Sequence, residues 1–226
     1  AAVKALKIAC EKSSAKNAQD FLADVRTAAI ALLETRPTAV SLPNGIRYVM
    51  HRVSQAAERT QDMQQLRLVG IKSAEEFIAN SNTAIERIGE IGARRIKDGD
   101  VLLTHCNSSA AISVIKTAWK QGKRIRVYAT ETRPRFQGRL TAAALLEDGI
   151  PVTMIIDDAA RYFMKEIDKF IIGADAVTAN GAIVNKIGTS MIALAAKESN
   201  VRTFVAAETY KFSPETMIGD VARTRS

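Results

Sequence analysis

DGDVLLTHCNSSAAISVIKTAWKQGKRIRVYAT, residues 98–130, holds the pattern that decides the fold. A charged turn, Asp98-Gly99-Asp100, leads into the short apolar run Val101–His105. Helical spacing follows over Ala110–Gln121, and then the β-branched run Ile125–Thr130. The alternation continues downstream: Val152–Ile156, Lys169–Gly173 and Arg202–Ala206 read as strands, with Leu140–Asp148, Asp158–Lys165 and Thr189–Glu198 as helices. Apolar strands separated by helices indicate a parallel sheet covered on both faces. Asn180-Gly181, flanked by Val177-Thr178 and Ile183-Val184, adds a short hairpin.

Upstream of this stretch the apolar period is helical throughout. Val3, Leu6 and Ile8-Ala9 open one amphipathic segment; Phe21, Val25, Ala28, Ala29 and Leu32 form a second, with Asn17 as its N-cap. Arg36-Pro37-Thr38-Ala39-Val40 ends it, because proline lacks a donor and restricts the residue before it. Pro43-Asn44 starts a third helix through Ile46, Val49 and Met50, and a long one runs from about Leu66 to Ile96. The expected organisation is a helical domain over 1–97 and a Rossmann-like α/β domain over 98–226, its sheet flanked by helices on both faces.

Composition narrows the function classes. The 226 residues are 47% hydrophobic and 25% charged, ordinary for a globular chain with a sizeable core. No uncharged apolar run reaches the ~18 residues of a membrane span, and the start does not read as a signal peptide. Two cysteines, Cys10 and Cys106, are too few for a disulfide framework and fit a reducing cytoplasm. The net charge of +8 is spread evenly: residues 1–98 carry 15 Lys and Arg against 11 Asp and Glu, and 99–226 carry 17 against 13. Without a basic tail or an aromatic-interleaved basic stripe, nucleic acid is the less favoured reading, and this diffuse excess suits a small anionic substrate at least as well.

Parallel sheets bind ligands beyond the carboxyl ends of their strands. Those ends here are His105-Cys106-Asn107-Ser108-Ser109, Thr130-Glu131-Thr132-Arg133-Pro134, Asp157-Asp158, Gly173-Ala174-Asp175 and Ala207-Glu208-Thr209-Tyr210-Lys211. Each carries reactive or charged side chains. Cys106 falls where a strand turns into a helix, with Ser108 and Ser109 as capping hydroxyls, a setting that favours a thiolate and offers N–H groups to a phosphate. The alternative is a buried cysteine acting as a small apolar residue. Cys10, on an apolar helix face, reads as core. Asp175 follows a buried strand, and partial desolvation would raise its pKa and suit it to act as an acid; an ordinary turn-capping Asp, as Asp157 or Asp158 reads, remains equally open. His51 and His105 stand too far apart in sequence to display a metal set, and His105 reads either as structural or as supporting a neighbouring site residue. No G-x-G-x-x-G or Walker loop is present.

Glu34-Thr35-Arg36-Pro37-Thr38-Ala39-Val40, Thr104-His105-Cys106, Glu131-Thr132-Arg133-Pro134 with Gln137-Gly138, Gly173-Ala174-Asp175, Asn180-Gly181 and Asn185-Lys186-Ile187-Gly188-Thr189 occur in this order. Together they resemble the family of ribose-1,5-bisphosphate isomerases, methylthioribose-1-phosphate isomerases and translation initiation factor 2B regulatory subunits. The resemblance implies an aldose–ketose isomerase of AMP salvage, needing no metal or organic cofactor, and a homo-oligomer built on dimers, a plain dimer or a hexamer. It implies Cys106 and Asp175 as the acid–base pair. Arg36, Ser108, Lys186 and Lys211 would hold phosphates, with Ser109 and Ala110 beside Ser108 in the same substrate loop. Gln137 and Asn185 would bind sugar hydroxyls. Keeping both Cys106 and Asp175 favours an enzyme over a regulatory subunit. Lys211, in Glu208-Thr209-Tyr210-Lys211-Phe212, supplies a cation for a second phosphate, although a lysine there also fits a solvated surface. Relatives carry an Arg-Gly-Ala phosphate loop before the first helices and a final strand with a Pro-rich stretch. Both are missing here, and a truncated chain or absent loops are expected.

Overall fold

A computed structural model describes residues 2–35 and 40–213. Four helices come first: α1 (Ala2–Lys12), α2 (Ala18–Thr35), α3 (Ser41–Ala57) and α4 (Met63–Ala93). Asn17 caps α2 as its sequence predicts, its Oδ1 accepting the Asp20 N–H at 2.9 Å. The helix ends at Thr35, one residue before the Arg36-Pro37 step; residues 36–39, Arg36 among them, lie outside the described residues. Pro43 sits in the first turn of α3, where a missing N–H costs nothing.

The alternating half follows as β1 (Val101–Thr104), α5 (Ser109–Lys120), β2 (Arg126–Thr130), α6 (Gln137–Glu147), β3 (Val152–Ile155), α7 (Ala160–Phe163), β4 (Lys169–Ile172), β5 (Ala176–Thr178), β6 (Ile183–Val184), α8 (Thr189–Glu198), β7 (Arg202–Val205) and β8 (Phe212–Ser213). All five expected strands form one sheet in the order β3-β2-β1-β4-β7, every pair parallel. The helix expected over Asp158–Lys165 is instead a single α-turn between two 3-10 turns, Asp157–Ala159 and Met164–Glu166. Asn180-Gly181 does make a turn, with Gly181 at φ 80° and the Thr178 N–H bonded to the Ala182 carbonyl at 2.9 Å.

The chain divides into two compact units. One comprises the described residues within Ala1–Thr83, Ala176–Ala182 and Tyr210–Ser226; the other is Ala84–Asp175 with Ile183–Thr209. In the first, α1, α2 and α3 pack together around Leu6, Cys10, Phe21, Val25, Val49 and Val53, joined by Leu66 and Ala74 of α4. In the second, side chains alternate across the sheet as a strand's period of two demands. Leu102 and Ile171 face a core with Ala111, Val114 and Ile115 of α5, whereas Leu103, Phe170 and Ile172 face Ala160, Ile192 and Ala196. Among the described residues no helix is long and apolar enough to cross a membrane.

Sheet order fixes where a ligand can bind. The chain steps outward from β1 through β2 to β3, then returns to the other side of β1 for β4 and β7. Direction therefore reverses between β1 and β4, and open α/β sheets bind ligands beyond the strand ends at such a reversal.

Candidate active site

Cys106 leaves β1 and Asp175 leaves β4, the two strands that flank the reversal. A third segment, Asn185–Gly188, precedes α8 and carries Lys186. Burial pushes the Cys106 thiol above its ordinary range; its contact with the Asn107 backbone and the Lys186 ammonium pull it down, and the Asp175 charge pushes it up again. Lys186 and Asp175 thus both lie close enough to act on the Cys106 thiol.

Two expectations are corrected by this geometry. Cys106 stands two residues ahead of the α5 cap, Ser108, and half-buried; burial is the largest influence on it and raises its pKa, so the resting form is the thiol and not the thiolate. Asp175 is exposed, although Ala174 before it and Ala176 after it are buried; the backbone stays inside while the carboxylate reaches solvent. Its backbone is anchored instead, the N–H bonding to the Val184 carbonyl at 2.8 Å.

Cys106 has φ 69°, a left-handed conformation that costs a non-glycine residue about 1–3 kcal/mol unless its surroundings impose it. Both of its backbone polar groups are held. Its N–H donates to Thr132 Oγ1 at 2.8 Å, and its carbonyl accepts from Thr141 Oγ1 at 2.8 Å. Thr132 is itself left-handed, at φ 61°. Asp157 secures it by accepting the N–H groups of Thr132 and Arg133 at 2.8 and 2.7 Å. Asp157 therefore organises the loop after β2, where its sequence suggested only a cap for its own turn. These roles of Thr132, Thr141 and Asp157 left no sign in the sequence, since each acts through a neighbour at least 24 residues away.

The expected phosphate and hydroxyl ligands are spread over several segments. Ser108 caps α5, its Oγ accepting the Ala111 N–H at 3.3 Å. Ser109 and Ala110 open that helix, and first-turn N–H groups lack intrahelical partners and favour anions. Gly173 makes this approach possible: a Cβ there would lie 2.2 Å from Ser108 Oγ. Gln137 is the first residue of α6, and its Oε1 is buried without a hydrogen-bond partner among the described residues. Gly138 beside it presses on β2, where a Cβ would lie 1.7 Å from the Thr130 carbonyl oxygen. Asn185 Nδ2 donates to Thr189 Oγ1 at 3.1 Å. Lys211 ends the turn Thr209–Lys211 and belongs to the helical unit; Arg36 is outside the described residues.

A doubly wound α/β protein with a thiol, a carboxylate and an ammonium gathered at the reversal of its sheet is what fold and site define. The chain belongs to the initiation factor 2 subunit family, whose model matches residues 1–224. It is 58% identical over 220 residues to a ribose 1,5-bisphosphate isomerase of Thermococcus kodakarensis, covering 97% of this chain and 68% of that protein. A methylthioribose-1-phosphate isomerase of Maridesulfovibrio salexigens is 39% identical over 212 residues, with 89% and 61% covered. Among solved structures, the translation initiation factor eIF-2B of Pyrococcus horikoshii superposes with a TM-score of 0.85 at 31% identity, covering 97% of this chain and 74% of that one.

Proposed function

We propose that this chain is an aldose–ketose isomerase converting ribose 1,5-bisphosphate to ribulose 1,5-bisphosphate in AMP salvage in the cytoplasm. The 58% identity to an isomerase of that name carries the reading, and the pairing of Cys106 with Asp175 and Lys186 supports it.

The anomeric carbon of this substrate bears a phosphate, so its ring does not open unaided. Asp175 gives a proton to the ring oxygen as the bond from C1 breaks, and Cys106 removes the proton from C2. The cis-phosphoenolate then takes a proton at C1 from Cys106, while the C2 hydroxyl proton returns to Asp175 as the carbonyl forms. The cycle needs one proton on the pair, carried by Asp175 at the start. The reactive form is the one in which the resting thiol's proton has moved to Asp175, a transfer that is uphill to an exposed carboxylate and becomes more favourable once bound sugar covers it. Each transfer by a positioned group contributes ~100- to 10,000-fold in rate. Arg36, Ser108, Ser109, Ala110, Lys186 and Lys211 hold the phosphates; Gln137 and Asn185 hold hydroxyls.

Oligomerisation through dimers belongs to the same reading. Met191 and Leu194 of α8 are 48% and 60% exposed, and Ile187 just ahead of that helix is 75% exposed, apolar surface that a partner would cover. Light scattering at micromolar concentration checks it; a clean monomer counts against it.

Substrate choice rests on Lys211, because a second phosphate needs a cation and a methylthio group is penalised by one. Paired kcat/KM values for ribose 1,5-bisphosphate and methylthioribose 1-phosphate, parent against Lys211→Met, test it. The variant should lose about 2–4 kcal/mol on the bisphosphate, mainly through KM, with little gain on the other sugar. A parent preference for methylthioribose 1-phosphate would move the protein to that sister activity. Turnover of neither sugar by folded protein would favour a regulatory role.

A further inference from the structure

His105 lies next to Cys106 in the chain and is only 1% exposed. Its Nδ1 meets Thr130 Oγ1 at 2.6 Å and its Nε2 meets the Ile187 carbonyl at 2.9 Å. A carbonyl can only accept, so Nε2 carries the hydrogen and Nδ1 accepts from the Thr130 hydroxyl. The charges facing the ring are Asp157, whose Oδ1 is 3.9 Å from Nδ1, and Lys186. Burial is the largest influence and lowers the pKa, so the ring is neutral.

What the ring holds is the segment that carries Lys186. Ile187 has a 75% exposed side chain, so packing does not fix it. Its backbone is fixed instead. The Lys186 carbonyl accepts from the N–H and Oγ1 of Thr189 at 3.1 and 2.6 Å, and the Ile187 carbonyl accepts from His105. Gly188, at φ 94°, lies against the imidazole so closely that a Cβ would come within 3.2 Å of Cε1. Ile187 and Gly188, adjacent residues of one segment 82 and 83 positions further along the chain, are thereby tied to the end of β1, one residue from the thiol.

We propose that His105 is a positioning residue, whose ring pins the Ile187 carbonyl to the end of β1 and so presents the Lys186 ammonium to the Cys106 thiol. The proposal rests on Cys106 and Lys186 sharing the active site, and it is tested without substrate. In a Cys10→Ala background, alkylation of Cys106 by iodoacetamide is followed across pH; the groups acting on that thiol are Lys186 and Asp175. Lys186→Ala should raise the midpoint by about one unit, slowing alkylation about tenfold at neutral pH. His105→Phe should do nearly the same, and combining the two should add nothing further. His105→Gln, whose amide N–H reaches for the same carbonyl, should return the midpoint toward the parent's. Turnover of ribose 1,5-bisphosphate by His105→Phe should fall on the order of 10- to 100-fold. An unmoved midpoint in His105→Phe, or an equal shift with and without Lys186, overturns the proposal. Should His105→Phe fail to fold, Thr130→Val carries the same test, since it keeps the shape and removes the hydroxyl that orients the ring. Coupling in alkylation with no turnover of either sugar would uphold the positioning role and sink only the proposed activity.

Discussion

Cys10 and Cys106 place the same thiol in two regions built on different principles. Cys10 is fully buried among Leu6, Val53 and Leu66 of the helical unit, where burial pushes it up to about 11. Cys106 is half-buried at the reversal of a parallel sheet, with a cation and an anion acting on it in opposite senses. Burial alone makes a thiol inert; burial set against nearby charge leaves it able to change state. Each cysteine also has a glycine that permits its surroundings: a Cβ on Gly70 would lie 2.7 Å from Cys10 Sγ, and one on Gly173 would lie 2.2 Å from Ser108 Oγ.

The largest effect that would break this contrast comes from Cys106→Ser. It should leave the fold intact and lower kcat at least ~100-fold, since a hydroxyl is a far weaker base than a thiolate, while Cys10→Ser is nearly silent in kinetics. Equal losses in the two variants would remove the distinction between the regions.

Gly173→Ala comes next. The added methyl must displace Ser108 and with it the cap of α5, so kcat/KM should fall on the order of 10- to 100-fold, with KM carrying most of it. Unchanged kinetics would detach the Ser108 loop from substrate binding.

The pH dependence of stability sharpens the contrast further. The folded Cys10 thiol titrates near 11 against an ordinary 9.0. A folded pKa above the unfolded one gives stability that is intact below pH 9 and lost as pH rises through about 11, by about 3 kcal/mol at most. Denaturant titrations from pH 8 to 11 should show this decline in the parent and a shallower one in Cys10→Ala. Parallel curves would mean that Cys10 is less shielded than its packing indicates.

Gly70→Ala should have the smallest effect. Crowding against Cys10 costs about 1–3 kcal/mol, and the gain in helix propensity returns up to about 1 kcal/mol. A modest fall in the denaturation midpoint with unaltered kcat/KM is expected; altered kinetics would show that the helical core influences the site.

By itself the amino-acid sequence determined the local structure and the neighbourhood of the site. The five strands were legible to within one residue at their ends because parallel strands are short, rich in β-branched and apolar residues and bounded by turns. Of the five, only β1, β2 and β4 are buried along most of their length. Asn17 announced its helix through one side chain acting three residues away. Cys106 and Asp175 stood at strand ends, where a parallel sheet keeps its ligand groups. Tertiary structure alone decided what depends on distant neighbours. The α6 start at Gln137 comes from Gly138 pressing on Thr130, with no cap to mark it. Asp157 serves a loop 24 residues upstream, and His105 bonds to partners 25 and 82 residues away. The protonated state of Cys106 and the exposure of Asp175 likewise depend on how far the surrounding segments cover each group. Hydrophobic period and capping are written within a few residues of where they act; solvation, charge and backbone satisfaction are set by whichever residues the fold brings near.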